Sequence, residues 1–130
     1  MKEPVWIDER DALIVHERLM ALHGGAAGVR DGGLLSSALS PPLQQFAYAE
    51  GVNIYSLAAL YTSAIVRNHP FVDGNKRTGF VVGILFLELN GYRFDASEEA
   101  AARAVLSMAA GIVNESEFAS FLKGNSTKRW

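Results

Sequence analysis

Nine consecutive residues, His69-Pro70-Phe71-Val72-Asp73-Gly74-Asn75-Lys76-Arg77, bring together a base, a carboxylate, a tight turn and two cations. An imidazole at His69 can take a proton from a hydroxyl, and Asp73 can hold a hard cation such as Mg2+. Asp73-Gly74-Asn75 can bend the backbone into an anion-binding concavity. Each residue also has a purely structural reading: an Asx turn with Asp73 as a cap, two solvated charges, and a satisfied histidine near the core. Their meeting in one stretch between two apolar segments favours a joint reading, a phosphate site. Lys76 and Arg77 fall in the first turn of the helix that follows, where the macrodipole disfavours cations by about 0.3–1 kcal/mol each. A phosphate bound there offsets that cost, because free backbone N–H groups, the dipole and both side chains act on one anion. Asp73, just outside the helix, would then anchor Mg2+ bridging phosphate oxygens, and His69 would deprotonate an attacking hydroxyl.

Two apolar segments must position this turn. Before it, Ile54, Leu57, Ala58, Tyr61 and Ile65 recur at offsets of three, four, seven and eleven, which predicts one face of a long helix ending around Arg67 and Asn68. His69 precedes Pro70, which predicts extended backbone at the histidine. After it, residues 78–89 are nearly all apolar and predict a core helix stopped by Asn90-Gly91.

The remaining segments read as further helices. Asp8 caps a first helix whose apolar residues Leu13, Ile14, Leu19, Met20 and Leu22 run to Gly24-Gly25. His16 and His23 lie about 10 Å apart along it at 1.5 Å per residue, too far to share a metal, and read as surface or rim histidines. Residues 24–33 are glycine-rich but lack the Gly-Lys-Ser/Thr ending of a phosphate loop. Arg30 projects from them, either solvated or as a further cation reaching toward the site. Asp31 caps a short helix through Leu34, Leu35, Ala38 and Leu39 that ends before Pro41-Pro42, and residues 43–53 support a short helix and a loop. Tyr92-Arg93-Phe94 reads as a brief extended piece. Asp95 or Ser97 caps the next helix, with Glu98 completing a capping-box pattern from Asp95. Asn114 with Glu117 opens a last helix that stops at Gly124, and residues 125–130 read as a loose tail. Together these predict an all-α fold: a compact helical bundle, one domain over residues 1–124, with the polar turn between its two central helices.

Composition narrows the function classes. A chain of 130 residues without cysteine can close one core, and offers no disulfides, thiolate zinc sites or cysteine nucleophile. The N-terminus has no apolar stretch of signal-peptide length, and the run from Phe80 to Leu87 falls short of the roughly 20 residues a membrane span needs, so a cytoplasmic location is expected. A net charge of -2 argues against direct nucleic-acid binding.

The nine-residue motif resembles the signature of the Fic/Doc family. Gly28-Val29-Arg30-Asp31, Leu34-Leu35-x-x-Ala38-Leu39 and Leu85-Phe86-Leu87-x-x-Asn90-Gly91 resemble its death-on-curing toxin branch, so the likeness spans most of the chain. The resemblance implies a Fic-like all-α fold, ATP or another nucleotide with Mg2+, and transfer to a protein hydroxyl. By that resemblance His69 is similar to the general base, Asp73 to the magnesium-anchoring acid, Gly74 and Asn75 to the anion-hole turn, and Arg77 to the phosphate-binding arginine. Adenylylating members carry Gly-Asn-Gly-Arg followed, after two more residues, by a second arginine. Here Lys76 replaces the glycine as an added point charge, and Phe80 stands where that arginine would be. The death-on-curing branch shows this Asn-Lys-Arg variant, and it implies a reversed nucleotide presenting its γ-phosphate: protein kinase chemistry on a Ser or Thr of a translation elongation factor. Gly74 is shared with the adenylylating members, which keeps adenylyl transfer as the alternative. No glutamate stands in a Ser/Thr-x-x-x-Glu-Gly/Asn pattern, by which many Fic proteins restrain themselves. The resemblance implies instead a small antitoxin protein docking a helix in a groove. A rival of another class is a non-catalytic protein-binding module in which the turn is only structural.

Overall fold

Residues 1–129, which the computed structural model describes, form seven helices and a two-stranded ribbon. In chain order these are α1 (Glu9–His23), α2 (Gly32–Leu39), α3 (Pro41–Tyr48), α4 (Ile54–Asn68), α5 (Asn75–Leu89), β1 (Tyr92–Phe94), α6 (Glu98–Ala109), α7 (Glu115–Gly124) and β2 (Ser126–Lys128). The all-α expectation holds. No helix of the described residues is long and apolar enough to cross a membrane.

The bundle is built on α4 and α5. Leu57, Ala58, Tyr61 and Ile65 of α4 are wholly buried, the face that the sequence spacing marked. α5 sinks into this surface because two of its residues have no side chain. A Cβ at Gly79 would stand 3.0 Å from the Thr62 carbonyl oxygen, and one at Gly83 3.0 Å from that of Ala58. The Thr62 hydroxyl donates to the Gly79 carbonyl at 2.8 Å, stitching the two helices together. Phe86 and Leu87 of α5, Phe118 and Leu122 of α7 and Leu35 of α2 complete the core, each large side chain contributing about 1.5–3 kcal/mol on burial. Tyr61 ties in the N-terminal segment: its hydroxyl accepts from the Ile7 N–H at 3.0 Å, and burial pushes its pKa up to about 12. Glu115 locks α7 to α4, accepting from Ser63 Oγ and Arg67 Nη1 at 2.7 Å each.

Several expectations are corrected. On α1 the buried stripe is Ala12, His16 and Met20, while Leu13, Ile14 and Leu22 are exposed. Of the apolar residues read there, only Met20 is buried. The short helix and loop read over residues 43–53 are present, but the helix, α3, starts two residues earlier, at Pro41. Ser97 rather than Asp95 caps α6, its Oγ accepting from the Ala100 N–H at 3.1 Å. Asp95 is engaged elsewhere, donating its N–H to the Asn125 carbonyl at 2.8 Å. Nor is the expected tail loose: Ser126–Lys128 pairs antiparallel with Tyr92–Phe94, and the Arg129 N–H donates to the Gly91 carbonyl at 2.7 Å. The exposed edge of a three-residue strand needs such a partner. Trp130 lies outside the described residues.

Candidate active site

The chain leaves α4 through His69, whose backbone is left-handed at φ 49°, ψ 55° rather than extended. Its N–H donates to the Ile65 carbonyl at 3.2 Å, so the residue closes the helix in the αL geometry common at helix C-termini. Among non-glycine residues histidine is enriched in this region, and the helix-end bond outweighs the extended bias that Pro70 imposes. The imidazole is exposed and makes no hydrogen bond among the described residues. Its backbone, by contrast, is clamped. Arg30 donates from Nε to the His69 carbonyl at 2.7 Å and from Nη2 to the Asn68 carbonyl at 3.0 Å. Arg30 therefore meets the C-terminal carbonyls of α4 with its positive charge. The Arg30 N–H also donates to the Pro70 carbonyl at 2.7 Å and the Val72 N–H to the Gly28 carbonyl at 3.1 Å, around an antiparallel bridge between Val29 and Phe71.

Asn75 folds the turn onto itself. Its amide donates to the Phe71 carbonyl and accepts from the Phe71 N–H, both at 3.0 Å, and the side chain is buried. One amide N–H of that side chain is thereby committed, and the backbone N–H of Asn75 faces the open start of the next helix. Gly74 is left-handed at φ 75°, a conformation that favours glycine, and a Cβ there would displace the end of the flexible Met20 side chain. Asp73 is exposed, with Oδ1 accepting from the Gly74 N–H at 2.8 Å and Oδ2 from the Ala26 N–H at 3.3 Å.

Beneath the turn lies a residue that the sequence reading misplaced. His16 is 3% exposed, stacks on the Phe71 ring at 4.0 Å and 7°, and brings Nε2 within 2.8 Å of the Asp73 carbonyl. The signal was present as Ala12, His16 and Met20 at a spacing of four, a stripe hidden by the larger apolar residues beside it.

No side chain caps the N-terminus of α5, and its first intrahelical bond runs from the Thr78 N–H to the Gly74 carbonyl at 2.9 Å. The N–H groups of Asn75, Lys76 and Arg77 thus have no carbonyl partner inside the helix. Lys76 and Arg77 are exposed, and neither pairs with a carboxylate among the described residues. Both stand at a groove of about 660 Å³ between α1, α5 and α6, lined also by Leu19, His23, Phe80 and Val105. His69 and Asp73 do not line that groove. No cluster of three or more metal-ligating side chains exists among the described residues. Asp73 alone fits Mg2+, which is held by one or two carboxylates and completes its shell with water and substrate phosphate oxygens. A base, a lone hard-oxygen ligand and an open helix N-terminus with two free cations can hold and react a nucleotide phosphate.

The family model for the Fic/DOC family matches residues 6–87. The chain belongs to the Fic/DOC family. The match runs from before α1 almost to the end of α5 and so takes in every residue of the turn and the segments that clamp it. Among curated proteins this Fic/DOC chain is similar to "Protein kinase doc" of Escherichia phage P1, 31% identical over 93 residues, covering 71% of this chain and 74% of that one. It is also similar to "Toxin Doc" of Mycolicibacterium smegmatis (strain ATCC 700084 / mc(2)155), 42% identical over 77 residues, covering 56% of this chain and 57% of that protein. The likeness to the death-on-curing branch, read from the motif, holds.

Proposed function

We propose that this chain is a toxin of a toxin-antitoxin pair that transfers the γ-phosphoryl group of ATP to a Ser or Thr hydroxyl of a cellular protein. The observation that carries this reading is the open N-terminus of α5, with Lys76 and Arg77 in its first turn and Phe80 one turn on, facing the same groove. The names of the two relatives, a protein kinase and a toxin, support it. In the reaction His69 accepts the proton of the attacking hydroxyl, whose oxygen bonds to the γ-phosphorus as the bond to the β,γ-bridging oxygen breaks and ADP leaves. The N–H groups of residues 75–77, with Lys76 and Arg77, hold the phosphate oxygens in line. Asp73 would hold Mg2+, which would supply charge neutralisation at those oxygens. Family resemblance makes the target a translation elongation factor, so that modification arrests translation and growth, and makes the restraint a small antitoxin.

Adenylyl transfer is the second reading, and its support in the sequence was the retained Gly74. The left-handed backbone accounts for that glycine without any appeal to the nucleotide's orientation. Incubating the chain with Mg2+, an elongation factor and ATP labelled at either the γ or the α position separates the two. Label arriving from the γ position is expected, and label arriving only from the α position assigns adenylyl transfer. Growth arrest that persists unchanged in His69→Ala and Asp73→Ala would point to a binding module instead.

A further inference from the structure

His16 has no place in the chemistry set out above, yet it is buried against the turn. A carbonyl only accepts, so the 2.8 Å contact with the Asp73 oxygen requires that Nε2 carry a proton. This is the one hydrogen bond that ties the Asp73 backbone to another element of the described fold. The Asp73 carboxylate itself is weakly held, by the adjacent Gly74 N–H and by a 3.3 Å contact to Ala26 in a loop rich in glycine. Its direction therefore depends on the backbone that His16 fixes. Stacking on Phe71 fixes the His16 ring in turn, and Phe71 is clasped by Asn75, so imidazole, aromatic ring and amide form one connected support under the turn.

We propose that His16 is a positioning residue for the transfer reaction, donating from Nε2 to the Asp73 carbonyl so that the Asp73 carboxylate is aimed at the Mg2+ that enters with the nucleotide. This rests on the reading of Asp73 as the metal anchor. Groups that orient a metal ligand typically govern metal affinity by 10- to 100-fold, roughly the effect expected here.

Two substitutions separate the hydrogen bond from the packing. His16→Phe keeps a ring against Phe71 and loses the donor; His16→Gln loses the ring and keeps an N–H near the position of Nε2. Each is read twice, and neither reading needs a protein target. In the chain without nucleotide, hydrogen exchange at the Gly74 amide reports the order of the turn. Exchange is expected to quicken about 10-fold in His16→Phe and to stay near wild type in His16→Gln. With ATP, calorimetric titration gives the Mg2+ dependence of nucleotide binding. The half-saturating Mg2+ concentration is expected to rise about 10-fold in His16→Phe and to be rescued in His16→Gln. If His16→Phe matches wild type in exchange while His16→Gln does not, ring packing alone supports the turn and the proposal is overturned. If exchange follows the donor but the Mg2+ requirement is the same in wild type, both variants and Asp73→Ala, Asp73 is not the metal anchor, and the positioning role falls with that reading.

Discussion

Two of the short loops that join helices in this molecule finish the job differently. Between α6 and α7 the chain turns through Gly111, at φ 77°, and enters α7 through a complete capping box. Asn114 accepts from the Glu117 N–H at 2.8 Å and Glu117 accepts from the Asn114 N–H at 3.1 Å, with Glu115 and Glu117 meeting the helix dipole. Between α4 and α5 the chain turns through His69 and Gly74, and α5 begins with no side-chain cap and two cations where α7 has two acids. Side chains also cap α1, α2, α4 and α6, and α3 opens on prolines. Where only a helix start is at stake, this chain satisfies it internally. At α5 it leaves donors and positive charge for something outside the fold, while Asn75, Arg30 and His16 hold the surrounding loop rigid.

The contrast can be broken at either loop. The largest effect is expected at His69: replacing it by alanine should lower transfer roughly 100- to 10,000-fold with little change in stability, because the side chain is exposed and unbonded. His69→Gly should be as inactive but about 0.5–1 kcal/mol more stable than His69→Ala, since glycine adopts the left-handed backbone without strain. A variant at this position that keeps full activity removes the imidazole from the mechanism. Asn75→Ala should cost about 2 kcal/mol in denaturant melts and lose activity together, because it strands the buried Phe71 N–H and carbonyl. Asn114→Ala should cost only about 1 kcal/mol and leave transfer untouched, the signature of a cap that is purely structural.

The mildest test is on the packed side of the molecule, through pH. The Tyr61 pKa is raised to about 12, first by burial, so the folded state holds this proton more tightly than the unfolded state does. Its contribution to stability is complete below the ordinary tyrosine pKa of about 10 and is lost as pH rises from there through about 12. Urea melts across that interval should show the decline, and Tyr61→Phe should flatten it.

The helices and the turn were legible because their signals are local. The spacing of Ile54, Leu57, Ala58, Tyr61 and Ile65 marks a face, and Asn114 with Glu117 marks a start, whatever packs around them. The support beneath the turn was not legible, since it depends on contacts distant in sequence. His16 lies 57 residues from Asp73 and Arg30 39 from His69. On α1 the bulk of Leu13, Ile14 and Leu22 pointed to a face that the structure exposes, and the stripe of alanine, histidine and methionine carried too little hydrophobicity to compete. Pro70 pointed to extended backbone at His69, but the helix end it closes decided the geometry. The strand at Ser126–Lys128 needed its partner at Tyr92–Phe94 to be visible at all.

Whether the start of α5 is kept open for nucleotide phosphates can be read directly by titrating ATP and Mg2+ into isotope-labelled protein and following the backbone amides by NMR. The amides of Asn75, Lys76 and Arg77 should shift and saturate together, while those of Glu115, Ser116 and Glu117 at the capped start of α7 stay in place. ATP binding that saturates without moving residues 75–77, or no binding at all, contradicts the assignment.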